Sequence, residues 1–491
     1  MTYHRYLNVI AKDLRTVVAP ELRTERARAA LTACVRTLGR LAYTFEPVGE
    51  SERVLPAIPG LPSAVQLAFN DIGAESGGAE AELRLPTLTP PEDIAFRLPL
   101  ASGMAAAANW LRTGAWLDDP RLKSAATSLL AWEQRFLAES EARSDELESL
   151  RAATPAVSRS MDIDREALER YLQARYHARP GVCISEFNQV AGGRSKQTAL
   201  FTLEGVPDLP RQLAVRRDHP SGIGMSVVVE FPAIVLAHRC GLKVAQPYFV
   251  EPSKDILGAS FSVFERVRGR VPVDYWDWPK SEKLALALAE QLAKLHSIDS
   301  SLLGSRLSCT IDSAADDPWM ADLDKLNAAI DRMGNAPSMM MSAALGWMRR
   351  NAAVISPRLA IVHSDAHFHN VHIDGEEFIA LLDWELVHVG HPAEDLGYCR
   401  PVIEKMTTWK KFMSAYVAAG GQAPERGEID YFTLRELVRL ITMLMPARNM
   451  IQNGTMADVL MTEIGTDFIQ RLIYRLAQAL QNVLSGTAMQ E

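Results

Sequence analysis

Two short apolar runs that stop abruptly in polar residues constrain this chain more than any other feature. Ile361-Val362 leads into His363-Ser364-Asp365-Ala366-His367-Phe368-His369-Asn370, and the run Phe378 to Leu382 leads into Asp383-Trp384-Glu385. Runs of that length read as buried strands that present side chains at their ends. The chain must therefore bury a small piece of sheet late in its sequence. At the end of that sheet it must bring out a carboxylate, an amide and a second carboxylate.

The surrounding periodicities set the order of the other elements. Up to about residue 45, Leu7, Ile10, Leu14 and Val17, and then Leu31, Val35, Leu38 and Leu41, recur at helical spacing, with Pro20 between the stripes. From about 47 to 99 the composition shifts to Pro, Gly, Ser and Ala, which predicts an irregular segment. Helical patterning returns from Met104 to about Leu150, where Trp110, Trp116, Leu129, Leu130, Trp132 and Phe136 read as core. Past a boundary near residues 154–161, Asp164 is placed to cap a helix whose Leu168, Tyr171 and Leu172 share a face. From Cys183 the pattern becomes strand-like, broken by Gly192-Gly193, Gly205-Val206-Pro207 and Pro210. From Ser281 it is helical again, with a stripe of Leu284, Leu288, Leu292 and Leu295 ending at His296, and Glu428 to Leu484 predicts two or three further helices.

With 491 residues the chain is too long for one ordinary core. The expected class is α+β: an all-α N-terminal domain over 1–160, a small strand-rich lobe over 161–268, and a larger helical lobe over 269–491 that carries the opening motif. A cleft between a sheet lobe and a helical lobe is a common place for a nucleotide. A formal charge of −8 argues against a nucleic-acid partner. Five dispersed cysteines without a Cys-x-x-Cys pair predict no disulfide framework. The N-terminus lacks an apolar h-region, and no uncharged run is long enough to cross a bilayer, so the expected location is cytoplasmic. The N-terminal helical block is a candidate surface for homodimer formation.

Several residues upstream can serve the same chemistry. Gly192 and Gly193 let the backbone turn tightly against phosphate oxygens, and Ser195 and Lys196 add donors; an ordinary hairpin turn has the same look. Arg216 shares a strand face with Ala214 and can be held by Glu230 on the following helix, although, with Arg217 beside it, Arg216 also fits a surface arginine ending a strand. Glu265 and Val267, where a strand runs into a linker, can offer backbone groups to an adenine edge. Asp365 can accept a proton from a hydroxyl, while Asn370 and Asp383 are hard oxygen donors of the kind magnesium prefers. Phosphoryl transfer needs such a set, because it depends on positioning and charge neutralisation. A competing reading stays open: His363, Asp365, His367 and His369 alternate, with His372, His388 and His391 nearby, and a cluster of that kind can bind zinc or iron as in a metallohydrolase.

In this order the residues resemble the aminoglycoside phosphotransferase and choline kinase-like superfamily of small-molecule kinases. Its catalytic loop is matched by His363-Ser364-Asp365 followed by Asn370, its metal motif by Asp383-Trp384-Glu385, and a later segment by Gly390-His391-Pro392 and Asp395-Leu396. The resemblance runs from about Met161 onward and implies a bilobal protein-kinase-like fold. It implies ATP and Mg2+ as cofactors and a small-molecule hydroxyl as acceptor. By position, Asp365 would be the catalytic base, Asn370 and Asp383 the metal ligands, and Glu230 the partner of the phosphate-binding cation. Gly192, Gly193, Ser195, Arg216, Glu265 and Val267 would hold the nucleotide.

Two departures stand out: Ser364 replaces the usual glycine, and Arg216 stands where many members have lysine. Arginine there also resembles the subgroup related to the kinase-like domains of acyl-CoA dehydrogenase family members ten and eleven, which implies a hydroxyacyl-CoA or related hydroxy acid as acceptor. The alternatives are an aminoglycoside or choline-like amino alcohol as acceptor, a pseudokinase-like scaffold, and the histidine-rich metallohydrolase.

Overall fold

The computed structural model describes residues 106–148, 163–177, 181–190, 196–219, 225–271, 275–276, 278–311, 315, 317–332, 338–452 and 468–486. The helices expected before residue 45, the irregular segment at 47–99, the boundary near 154–161, and Gly192, Gly193 and Ser195 lie outside the described residues. In chain order the elements are α1 (Pro120–Glu148), α2 (Arg165–Arg175), β1 (Cys183–Val190), β2 (Lys196–Glu204), β3 (Gln212–Asp218), α3 (Val227–Arg239), β4 (Pro247–Glu251) and β5 (Phe261–Glu265). There follow α4 (Glu282–His296), α5 (Pro318–Arg332), α6 (Met339–Asn351), β6 (Ala360–Val362), β7 (Val371–Asp374), β8 (Glu377–Leu381) and β9 (His388–Gly390). The chain closes with α7 (Ala393–Ile403), α8 (Trp409–Ala418), α9 (Arg426–Gln452) and α10 (Ile469–Ser485).

The chain divides into two compact units, and neither is continuous in sequence. One takes in residues 153–310 and 357–429. Its first half is a five-stranded sheet of order β1-β2-β3-β5-β4, antiparallel throughout. Period-two alternation decides what each strand buries. In β3, Leu213, Val215 and Arg217 are buried, while Ala214, Arg216 and Asp218 turn to the other face. The buried face packs with Ala199, Phe201 and Leu203 of β2, Phe261 and Val263 of β5, and Leu168 and Leu172 of α2. Asp164 caps α2 by accepting the Ala167 N–H at 3.0 Å, as its position predicts.

Arg217 is not a surface residue. Its guanidinium is buried, and it donates to Gln197 Oε1 at 2.7 Å and to the Leu257 carbonyl at 2.6 Å. That arrangement satisfies the charge inside the sheet core, while Arg216 lies on the opposite face. The link from β3 to α3 is equally local: Asp218 accepts the Val227 N–H at 2.8 Å and the Ser226 hydroxyl at 2.6 Å, which fixes the start of α3 and hence Glu230 in its first turn.

The second half of this unit is helical around two small antiparallel ladders, β6 with β9 and β7 with β8. Ser281 caps α4, and the stripe Leu284, Leu288, Leu292 and Leu295 is fully buried. The whole is an α+β, protein-kinase-like plan: a small antiparallel-sheet lobe followed by a helical lobe.

The other unit gathers residues up to 152, 311–356 and 430–489. Within it α1 packs on α6 and α10, and α6 packs on α5. Trp116, Leu129 and Leu130 are buried, as expected of core residues, and Trp110 is half-buried; the side chains of Trp132 and Phe136 lie outside the description. Gly346 of α6 is required by close approach: a Cβ there would lie 2.1 Å from the Leu111 carbonyl oxygen. Among the described residues no helix is long and apolar enough to cross a membrane.

Candidate active site

The loop after β6 is built around one buried carboxylate. Asp395, in the first turn of α7, accepts the His363 N–H at 2.8 Å and the Ser364 N–H at 2.6 Å. His296, at the end of α4, reaches the same group at 3.0 Å through Nε2. This clamp holds Ser364 at φ 64°, the left-handed region that favours glycine. The glycine usual at this position in the resembled family is thereby explained. Asp383 also has positive φ, 62°, so both motif segments store backbone strain where they present their functional groups.

His363 locks the loop from inside. Its Nδ1 accepts the Asp365 N–H at 3.3 Å, which leaves Nε2 to donate to the Leu382 carbonyl at 2.9 Å. Burial holds this imidazole below the usual histidine range, in keeping with a neutral ring. The Leu382 N–H in turn donates to the Asn370 carbonyl at 2.7 Å, so the segment carrying Asp383 is stitched to the loop carrying Asp365.

Both oxygens of Asp365 are oriented. Tyr398 donates to Oδ1 at 2.5 Å, and Asn370 Nδ2 donates to Oδ2 at 2.8 Å and to the Asp365 carbonyl at 3.0 Å. His369 Nε2 stands 3.6 Å from Oδ2. Burial pushes this carboxyl up, but His369, Tyr398 and His363 outweigh it and hold it well below the usual carboxylate range. Asp365 is thus an ionised, positioned carboxylate. With its amide nitrogen spent on Asp365, Asn370 is left with its oxygen as a donor atom for a metal.

The cations lie on the sheet lobe. Arg216 donates to Asp383 Oδ1 at 2.8 Å and stands 3.8 Å from Glu230 Oε1. Burial raises the Glu230 carboxyl, opposed by Arg216 and Lys196. Among the described residues neither Glu230 oxygen accepts a hydrogen bond. The structure therefore brings Asp365, Asn370, Asp383, Arg216 and Glu230 together. Glu265 and Val267 sit at and just past the end of β5, where the Glu265 N–H is already given to the Gln246 carbonyl.

One participant was missed by sequence reasoning, and the burial of another was not foreseen. Tyr398 belongs to the buried stretch of α7, and no spacing ties it to Asp365. Lys196, offered by the sequence as a donor, is buried on β2 with its ammonium between Asp218 and Glu385.

The histidines of the loop do other work. His369 Nδ1 faces His367 Nδ1 at 2.8 Å, and Tyr275 stacks on His367 with centroids 4.3 Å apart. Among the described residues no group of three or more His, Cys, Asp or Glu side chains is placed to hold a metal ion.

Asp365 and Asn370 on one loop, with Asp383 on the segment bonded to it, form a set of the kind that phosphoryl transfer needs. The sequence model of the phosphotransferase enzyme family matches residues 186–432, half of the chain, and the chain belongs to that family. Similar proteins include acyl-CoA dehydrogenase family member 11 of Gallus gallus, 27% identical over 260 residues, covering 50% of this chain and 32% of that protein. The Rattus norvegicus protein of the same name is 29% identical over 270 residues, with 48% and 32% covered. The chain thus spans about a third of the length of these relatives. A solved macrolide 2'-phosphotransferase from Brachybacterium faecium is 17% identical, with 62% of this chain and 97% of that one covered and a TM-score of 0.43.

Proposed function

We propose that the chain transfers the γ-phosphoryl group of ATP, with Mg2+, to the hydroxyl of a hydroxyacyl-CoA or a related hydroxy acid. The observation that carries the reaction type is Asp365, ionised and held by Tyr398 and Asn370, beside two hard oxygen donors and an arginine. The donor set fits the metal: two cations, Lys196 and Arg216, face four carboxylates, Asp218, Glu230, Asp383 and Glu385, so the site carries an excess of negative charge. Asn370 and Asp383 would hold the ion, leaving its other positions to phosphate oxygens and water. Bound Mg2+ supplies charge neutralisation at the transferred phosphoryl group.

The chain's own residues do the rest. Asp365 orients the acceptor hydroxyl and takes its proton, while Tyr398 and Asn370 fix the carboxylate so that no rotation is needed. Arg216, bonded to Asp383 and facing Glu230, would add positive charge beside the phosphates. The adenine edge would meet the Glu265 carbonyl and the Val267 backbone. The acyl-CoA part of the acceptor rests on the name of the relatives and on the subgroup that Arg216-Arg217 resembles. Amino alcohols and aminoglycosides belong in the same test.

ATP consumption is to be measured over a panel of hydroxyacyl-CoAs, hydroxy acids, amino alcohols and aminoglycosides, with the native chain and Asp365→Asn. Phosphorylation of a hydroxyacyl-CoA that is abolished by Asp365→Asn is the expected result. Turnover preserved in that variant would sink the assignment of the base, and turnover confined to amino alcohols or aminoglycosides would sink the acceptor.

A further inference from the structure

Lys196 opens β2 and stands opposite Asp218 in the β2–β3 register, while Thr198 stands opposite Arg216. Alternation along the strands puts Lys196, Thr198, Arg216 and Asp218 on one face, the face turned away from the hydrophobic core of the sheet. The Lys196 side chain is only 3% exposed. Its ammonium donates to the Met225 carbonyl and lies 3.5 Å from Asp218 Oδ1 and 3.6 Å from Glu385 Oε2. Glu385 is two residues from Asp383, so this cation is tied to the segment that carries a metal-ligand candidate.

The second cation is engaged differently. Arg216 gives its guanidinium to Asp383 and faces Glu230. A guanidinium is a rigid fork that suits carboxylates in fixed geometry, whereas an ammonium is a compact charge on a flexible stem that binds phosphate as a point charge. Lys196 has two carboxylates at the outer range of ion pairing, neither within hydrogen-bond reach. Purely structural buried pairs need closer geometry than this to offset desolvation. An anion that entered the face between β2, β3 and Asp383 would meet the ammonium with its carboxylate contacts still loose.

We propose that Lys196 contacts the phosphates of the bound nucleotide, taking the share of charge neutralisation that Arg216, bonded to Asp383, leaves. In this enzyme the phosphate-binding ammonium has moved from β3, where the resembled family carries it, to the neighbouring strand β2. Arg216 then serves mainly to hold Asp383 and Glu230 in register. The proposal rests on the reading of the chain as an ATP-dependent phosphotransferase.

The test compares equilibrium binding of Mg·ATP, Mg·ADP and adenosine to the full chain and to Lys196→Met and Lys196→Arg. Melting temperatures are recorded alongside. A charge-assisted contact to phosphate predicts that Lys196→Met weakens Mg·ATP and Mg·ADP by roughly 10- to 100-fold. Adenosine binding should be unchanged, and Lys196→Arg should restore most of the phosphate-dependent affinity. An equal loss for adenosine and ATP, or an unaltered ratio between them, overturns the proposal and leaves the parent reading standing. Failure of the unaltered chain to bind Mg·ATP overturns both. Should Lys196→Met not fold, the native chain is treated with an adenosine sulfonyl fluoride and mapped by mass spectrometry. Labelling of Lys196 that ATP prevents supports the contact, and its absence, or labelling indifferent to ATP, refutes it.

Discussion

Replacing Asp395 tests whether the loop is held by directed hydrogen bonds or merely by packing. The side chain is fully buried and accepts two backbone N–H groups, at 2.8 and 2.6 Å, and His296 at 3.0 Å. Hydrogen bonds to a buried charge contribute about 1.5–3 kcal/mol each and are not additive. Asp395→Ala strands two backbone donors and an imidazole, and should cost about 3–5 kcal/mol, a large part of a typical stability. Asp395→Asn keeps the volume but turns an NH2 group toward one of those donors, so it should cost at least about 2 kcal/mol. Denaturant unfolding followed by far-UV circular dichroism, with slopes compared between variants, measures both.

The pH dependence carries its own sign. Burial pushes Asp395 up, but His296 and the His363 backbone outweigh it, so the folded value lies below the ordinary one. The stabilisation is then complete above the unfolded carboxylate value of about 3.9 and fades as pH falls through the lower folded value. The gap between native chain and Asn variant should therefore narrow only in acid. An Asn variant within about 0.5 kcal/mol of the native chain at neutral pH would falsify the clamp.

Two smaller changes probe the same loop. Ser364→Gly relieves the positive φ and should stabilise the protein by about 0.5–1 kcal/mol with turnover retained; a destabilised variant in the same denaturant assay would show that the serine side chain matters more than its backbone. Tyr398→Phe removes a donor that holds Asp365 low, so the acidic limb of kcat/KM against pH should move upward. A limb that stays in place, or moves downward, would mean that Tyr398 does not tune the base.

The candidate site loop was legible because short apolar runs that stop in polar residues, before His363 and at Asp383, can do little else than leave a buried strand. The pairing of Arg216 with Glu230 was legible from period two and one helical turn. The burial of Arg217 was not legible because it depends on Gln197 and on the Leu257 carbonyl, which only strand register and a distant loop bring near. Lys196 was visible as a donor but not as a buried one, since that requires knowing that β2 lies beside β3 with Asp218 opposite. The helical unit exposes the general limit. Periodicity shows that α1 and α10 each have an apolar face, but not that these faces meet.

That meeting has a cost in time. Arg471 of α10 pairs with Glu141 of α1 across 330 residues of sequence. At about 5–20 residues per second, a ribosome needs tens of seconds to cover that distance. Through that interval α1 has been made but α10, which packs on it, has not. The unit that carries Asp365, Asn370 and Asp383, encoded between the two helices, can fold ahead of their meeting.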